Sequence, residues 1–165
     1  MDDGIRPQPG HTLVELLATL GVIAVLAASA APSFAHWLLD IRRDSAVTAS
    51  LHAVHVARQL AAVRGEAVSL CGTLDELRCS GLTDWSRGLL LATQSGRARR
   101  GLTVPAASSL RANRAEIRFE AGTGHASPAT LSICDRRGAA AARTVIVSRS
   151  GRPRATAPGE GAPSC

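Results

Sequence analysis

The chain has 165 residues, with 19 basic residues that are all arginine, 13 acids and a formal net charge of +6. That length leaves room for one small domain beside a long helix and excludes several independent domains. The positive balance favours nucleic acid, anionic lipid or an acidic partner, and every basic group is a planar fork suited to phosphate.

Met1 to Gly10 holds two prolines and two glycines. It cannot form a stable helix and reads as a leader, 1–10, removed before function. From Leu16 to Ala31 there is no charge, and only Thr19 and Ser29 are polar. At the α-helical rise, Thr12 to Ala31 spans about 30 Å, one hydrocarbon core. The seven Leu, Ile and Val residues of this run favour insertion by about 2–4 kcal/mol in all, whereas an unpaired acid at mid-bilayer costs about 3 kcal/mol. Glu15 stands at the front of the run, where that cost is lower. The segment reads as a modest anchor, 12–31, that can also leave the membrane. A secretory signal ending at Ala28-Ser29-Ala30 is the rival, but its front should be positive, and Asp2, Asp3 and Arg6 make this one net negative.

Pro32 is expected to kink the helix or loosen the preceding turn. An amphipathic half, 33–64, follows, with Phe34, Leu38, Ile41, Val47, Leu51, Val54 and Ala61 at helical spacing against a head domain. His52 and His55 belong to its solvated face. Arg64-Gly65 ends it with a cation in the last turn and a glycine beyond.

The remainder, 65–165, reads as a β-rich head. Strands are expected at Glu66–Cys71, Trp85–Ala92, Glu116–Glu120, Ala129–Cys134 and Arg143–Arg149, joined by connections too short for helical crossovers and therefore antiparallel. Gln94–Gly101, with Arg97, Arg99 and Arg100, reads as an exposed turn. Two phenylalanines, two tryptophans and no tyrosine make a thin core, so cross-links matter more. Cys71, Cys79, Cys134 and Cys165 allow three pairings; Cys71–Cys79 with Cys134–Cys165 is favoured, the first closing a short loop and the second tying the tail to a strand. No Cys-x-x-Cys pair, phosphate loop, nucleophile motif or solenoid repeat is present, so neither catalysis nor a metal or cofactor is expected. The tail, 150–165, has three prolines and three glycines and is expected to be irregular and mobile.

Gly10 followed by Thr12-Leu-Val-Glu15-Leu16, with Pro32 further on, resembles the type IV prepilin motif. That resemblance implies cleavage by a prepilin peptidase after Gly10 and methylation of the new amino terminus, His11, where the family usually has Phe. It also implies that Glu15 neutralises the amino terminus of a neighbouring subunit in a filament. Removing the leader leaves 18 arginines against 11 acids, a net charge of +7.

The long helix, the Glu66-Ala-Val-Ser-Leu-Cys71 segment, Trp85 and the late Gly151-Arg-Pro-Arg154 together resemble the GspH/FimT group of minor pilins and pseudopilins. The implied fold is α+β and pilin-like: a long N-terminal helix on a small antiparallel β-sheet head. The implied location is the bacterial inner membrane, single-pass with a periplasmic head, and then the pilus or cell surface among other pilins or pseudopilins. In FimT-like minor pilins of DNA-uptake pili, Gly-Arg-x-Arg is implicated in DNA binding, which carries that role to Gly151, Arg152 and Arg154, with Arg143 and Arg149 extending the surface. Arg152 and Arg154 flank a stiff proline and can each fork two donors onto phosphate. Gly151 is expected to let the backbone approach closely. With no aromatic residue after Phe119, contact should be to the phosphate backbone, weakly sequence-dependent and strongly salt-dependent. The expected function is DNA capture for natural transformation. The alternative is a structural minor pilin or a type II secretion pseudopilin that assembles without binding DNA.

Overall fold

The structure, a computed structural model, describes residues 12–93, 100–102, 108–161 and 165. The chain divides into two compact units, Met1–Leu38 and Leu39–Cys165.

In the first unit the helix begins at Leu13. Thr12 is its cap: the Glu15 N–H donates to Thr12 Oγ1 at 3.3 Å, the hydroxyl half of a capping box whose fourth member is Glu15 itself. The large apolar side chains from Leu13 to Leu26 are all exposed. This helix is long and apolar enough to cross a membrane. Its two polar residues suit that setting, because the Thr19 hydroxyl donates to Leu16 O at 2.9 Å and the Ser29 hydroxyl to Leu26 O at 2.8 Å. Neither hydroxyl asks anything of lipid. The helix continues through Pro32, and beyond it Phe34 and Trp37 pair their rings at 5.5 Å.

In the second unit the helix α1, Leu13–Arg64 as a whole, buries Ala46, Val47, Ser50, Ala53, Val54, Ala57 and Ala61. This is an i, i+3/i+4 stripe of mostly small residues, which lets sheets approach closely. Val47, Val54 and Ala61 are where the periodicity put them, and Leu51 is half-buried. Phe34 and Ile41 are exposed, so the stripe begins later than expected. His52 and His55 face solvent.

The head holds two four-stranded antiparallel sheets rather than one small sheet. The first has β1 (Val68–Gly72), β2 (Leu89–Thr93), β3 (Arg100–Leu102) and β5 (Glu116–Phe119), in the order β3-β2-β1-β5. The second has β4 (Ser109–Ala112), β6 (Ala129–Cys134), β7 (Arg143–Val147) and β8 (Pro153–Ala155), in the order β4-β6-β7-β8. One apolar cluster joins the helix stripe to both sheets, with Leu70, Leu89, Leu91, Ile117 and Phe119 from the first and Leu110, Leu131, Ile133, Val145 and Val147 from the second.

Two expectations need correction. Trp85 is not in a strand. It sits in the turn before β2, fully buried, with its indole N–H donating to Leu82 O at 3.0 Å. A Cβ on Gly72 would lie 2.3 Å from that ring, so the glycine in β1 leaves room for the tryptophan. The region read as an exposed turn contributes β3, whose Arg100 to Leu102 pair back onto Leu91 to Leu89; Arg97 and Arg99 lie outside the described residues. Between β6 and β7, Ala139–Ala141 forms a 3-10 turn.

Both disulfides take the favoured pairing, Cys71–Cys79 and Cys134–Cys165. Asp75 caps the loop closed by the first. The backbone N–H groups of Leu77 and Arg78 hydrogen-bond its carboxylate and hold it below the usual carboxylate range.

Candidate nucleic-acid interface

The tail expected to be irregular is built into the second sheet. Val147 pairs with Pro153, Ile146 with Arg154 and Val145 with Ala155, which makes β8 an edge strand. Proline opens that strand, where a missing donor costs no ladder bond. Beyond it, Thr156 and Thr144 are both buried. The Thr156 N–H donates to Thr144 O at 2.9 Å, the Thr144 N–H to Thr156 Oγ1 at 3.1 Å, and the two hydroxyls meet at 2.9 Å. The Gly159 N–H donates to Ala142 O at 2.8 Å. Composition suggested disorder because prolines and glycines dominate it; two threonines and a strand edge hold it instead.

The turn between β7 and β8 is stitched by one serine. The Ser148 N–H donates to Arg152 O at 3.1 Å, the Arg152 N–H donates to Ser148 Oγ at 3.2 Å, and the Gly151 N–H donates to Ser148 O at 2.9 Å. Gly151 is buried with φ of 72°. A Cβ there would lie 2.3 Å from Gly124 O and 3.1 Å from Arg58 Cδ. The close approach that this glycine permits is therefore to its own chain, a correction to the expectation that it brings backbone to a ligand. The alkyl stem of Arg58, from the helix, runs beneath Gly124 as well.

This turn presents arginines to solvent. Arg149 and Arg152 are exposed on it, and Arg154 is exposed on β8. Arg152 and Arg154 are two residues apart in extended chain, so they share a face about 6–7 Å apart. The half-buried Pro153 between them faces the other way. Arg149 O accepts the Ala126 N–H at 2.8 Å, which draws the Ala121–Ser127 connection beside the turn. That connection follows β5, whose Arg118 is exposed. Arg118, Arg149, Arg152 and Arg154 make no ion pair among the described residues. Sequence reasoning did not single out Arg58 or Arg118; only the register of β5, exposed at alternate residues, points to Arg118.

Arg143 belongs elsewhere. Its guanidinium donates to Thr156 O at 2.9 Å and to Asp44 at 3.1 Å. It is one end of an ion network in which buried Arg43 meets Asp40 at 3.0 Å and Asp44 at 3.1 Å, and Arg137 meets Asp40 at 2.9 Å and Asp135 at 2.6 Å. Burial pushes the Asp44 carboxyl up, but hydrogen bonds from Arg43 and Arg143 outweigh it and hold Asp44 below its ordinary value. Hydrogen bonds from Arg137 do the same for Asp135, against the opposing effect of burial, and Arg137 is raised in turn by Asp135 and Asp40. This network ties the helix to the β6–β7 connection and commits Arg143 Nε and Nη1 to Thr156 O and Asp44 rather than to the exposed turn. Gly10 and His11 lie outside the described residues.

A membrane-length N-terminal helix whose later half packs on antiparallel sheets is the architecture of type IV pilins and pseudopilins, which are structural subunits of filaments. The chain belongs to the GspH family: the family model for type II transport protein GspH matches residues 46–151. Two crystal forms of the Pseudomonas aeruginosa type IV minor pilin FimU superpose on it with TM-scores of 0.58 and 0.56, each at 21% identity. The first covers 74% of this chain and 92% of FimU; the second covers 73% and 96%. The minor pseudopilin EpsH of the Vibrio cholerae type 2 secretion system matches with a TM-score of 0.49 and 16% identity, over 70% of this chain and 98% of EpsH. No curated protein sequence matches significantly.

Proposed function

We propose that this minor pilin binds extracellular DNA on a type IV pilus and serves its uptake in natural transformation. The observation that supports the reading is the set of exposed arginines, Arg149, Arg152 and Arg154, on and beside one hydrogen-bonded turn, none of them in an ion pair among the described residues. Their contacts are to phosphate, which fits a charge-dominated interaction. Arg143 drops out of the set because Asp44 and Thr156 occupy it. Prepilin peptidase cleaves after Gly10, His11 becomes the amino terminus, and Glu15 pairs with that terminus on a neighbouring subunit. Such a pair sets the register between helices, since either charge alone is penalised in an apolar bundle.

The second reading is a subunit that only assembles, in a pilus or in a type II secretion pseudopilus; the family model's own description favours it. The two readings separate in cells carrying Arg152→Ala/Arg154→Ala. Subunit incorporation into sheared filaments should stay at the wild-type level, while uptake of labelled DNA falls tenfold or more. Normal incorporation with normal uptake would leave the assembly role alone standing.

A further inference from the structure

We infer that the cleft beside the exposed turn accepts one unpaired nucleotide, so that the protein prefers single-stranded DNA or a frayed end to intact duplex. The inference rests on the DNA-binding reading above and names its substrate class. The cleft measures about 570 Å³ and is lined by Arg118, Glu120, His125, Ala126, Pro128 and Arg149, among others. That volume lies within the range of about 300–1,000 Å³ typical of small-ligand clefts. A surface that only tracks phosphates needs no such hollow.

An unpaired nucleotide offers a π face, a polar edge and a phosphate, and the cleft has a counterpart for each. The His125 ring and the planes of the two guanidiniums are the surfaces on which splayed bases stack. The Glu120 carboxylate accepts hydrogen bonds from base N–H groups, as acids do from cytosine N4. It also repels phosphate, which leaves the phosphate to Arg118 and Arg149. Ala126 and Pro128 supply apolar wall. In a duplex the base edges are paired and the faces stacked, so neither reaches these groups.

The hollow is preformed by backbone bonds. The Glu120 N–H donates to His125 O at 2.8 Å, the Gly124 N–H to Glu120 O at 3.0 Å and the Ala126 N–H to Arg149 O at 2.8 Å. The last of these sets the cleft against Arg149 on the β7–β8 turn, so a strand lying along the exposed arginines of that turn reaches it.

The test is fluorescence anisotropy with full-length protein in non-ionic detergent, using a labelled 12-nucleotide single strand and a blunt duplex of the same length at matched salt. The single strand should bind fivefold or more tightly than the duplex. His125→Ala should erase most of that preference and leave duplex affinity within twofold, and Glu120→Ala should also erase most of it, with duplex affinity unchanged or raised as the repulsion of phosphate goes. Both side chains are exposed, and a melting curve checks that each variant is folded. Equal affinity for the two forms, or equal loss on both in His125→Ala, overturns the nucleotide cleft while the DNA-binding reading stands. Binding to neither form overturns that reading and the cleft with it.

Discussion

Replacing Gly151 by alanine separates the packing role of this glycine from any role in approaching a ligand. Two costs add. An L-residue held at φ of 72° loses about 1–2 kcal/mol. The new Cβ would lie 2.3 Å from Gly124 O, a backbone atom fixed by its neighbours, and relieving such an overlap costs about 1–3 kcal/mol. The sum is about 2–5 kcal/mol, or a fall in melting temperature of about 5–15 °C for a chain of this size. Gly65→Ala is the control: it has φ of +64° and nothing within 4 Å, so it bears the first cost only. Circular dichroism melts of the two variants and the parent give the comparison. A Gly151→Ala melt within 2 °C of the parent, or smaller in effect than Gly65→Ala, would refute the packing assigned to this turn.

Removing Cys134–Cys165, which spans 31 residues, should destabilise the head by about 3–4 kcal/mol in denaturant titration, more than removing Cys71–Cys79, which spans 8; the reverse order would contradict loop closure as the dominant effect. Asp44 and Asp135 titrate below their unfolded values, so their contribution is present above about pH 4 and is lost as pH falls through the folded values. The melting temperature should therefore drop on acidification below about pH 4, and less so in Asp135→Asn; an unchanged melt down to pH 3 would count against the network. Arg143→Ala should lower the melting temperature and leave DNA affinity within twofold, whereas a loss of affinity equal to that of Arg152→Ala would return Arg143 to the interface.

The helix was legible because charge and apolar spacing act over many residues, and the stripe Val47, Val54, Ala61 survives into the core. The strands β1, β5, β6 and β7 were legible to within a few residues for the same reason. The elements β3, β4 and β8 were not: β3 and β8 have three residues each, too few for an alternation to show, and pair with the strand just before them, while β4 has four and pairs with β6 rather than a chain neighbour. Proline and glycine content misled at the tail: Pro153 opens an edge strand and Gly151 fits under a neighbouring loop. Of the candidate interface, Arg152 and Arg154 were singled out by the Gly-Arg-x-Arg resemblance and the stiff proline between them, not by any expectation of a strand there. Arg118 and His125 were not, because a connection between strands brings them to Arg149 from more than twenty residues away. Arg143 carried the same charge in sequence as Arg149, and only the acid facing it from the helix tells the two apart.

The dependence of DNA affinity on salt tests the central claim most directly. Each phosphate neutralised contributes about −0.9 to the slope of log affinity against log salt on duplex DNA. Arg149, Arg152 and Arg154 together should give a slope of about −3, and Arg152→Ala/Arg154→Ala should bring it to about −1. A double variant with the parent's slope would place the DNA contact elsewhere on the protein.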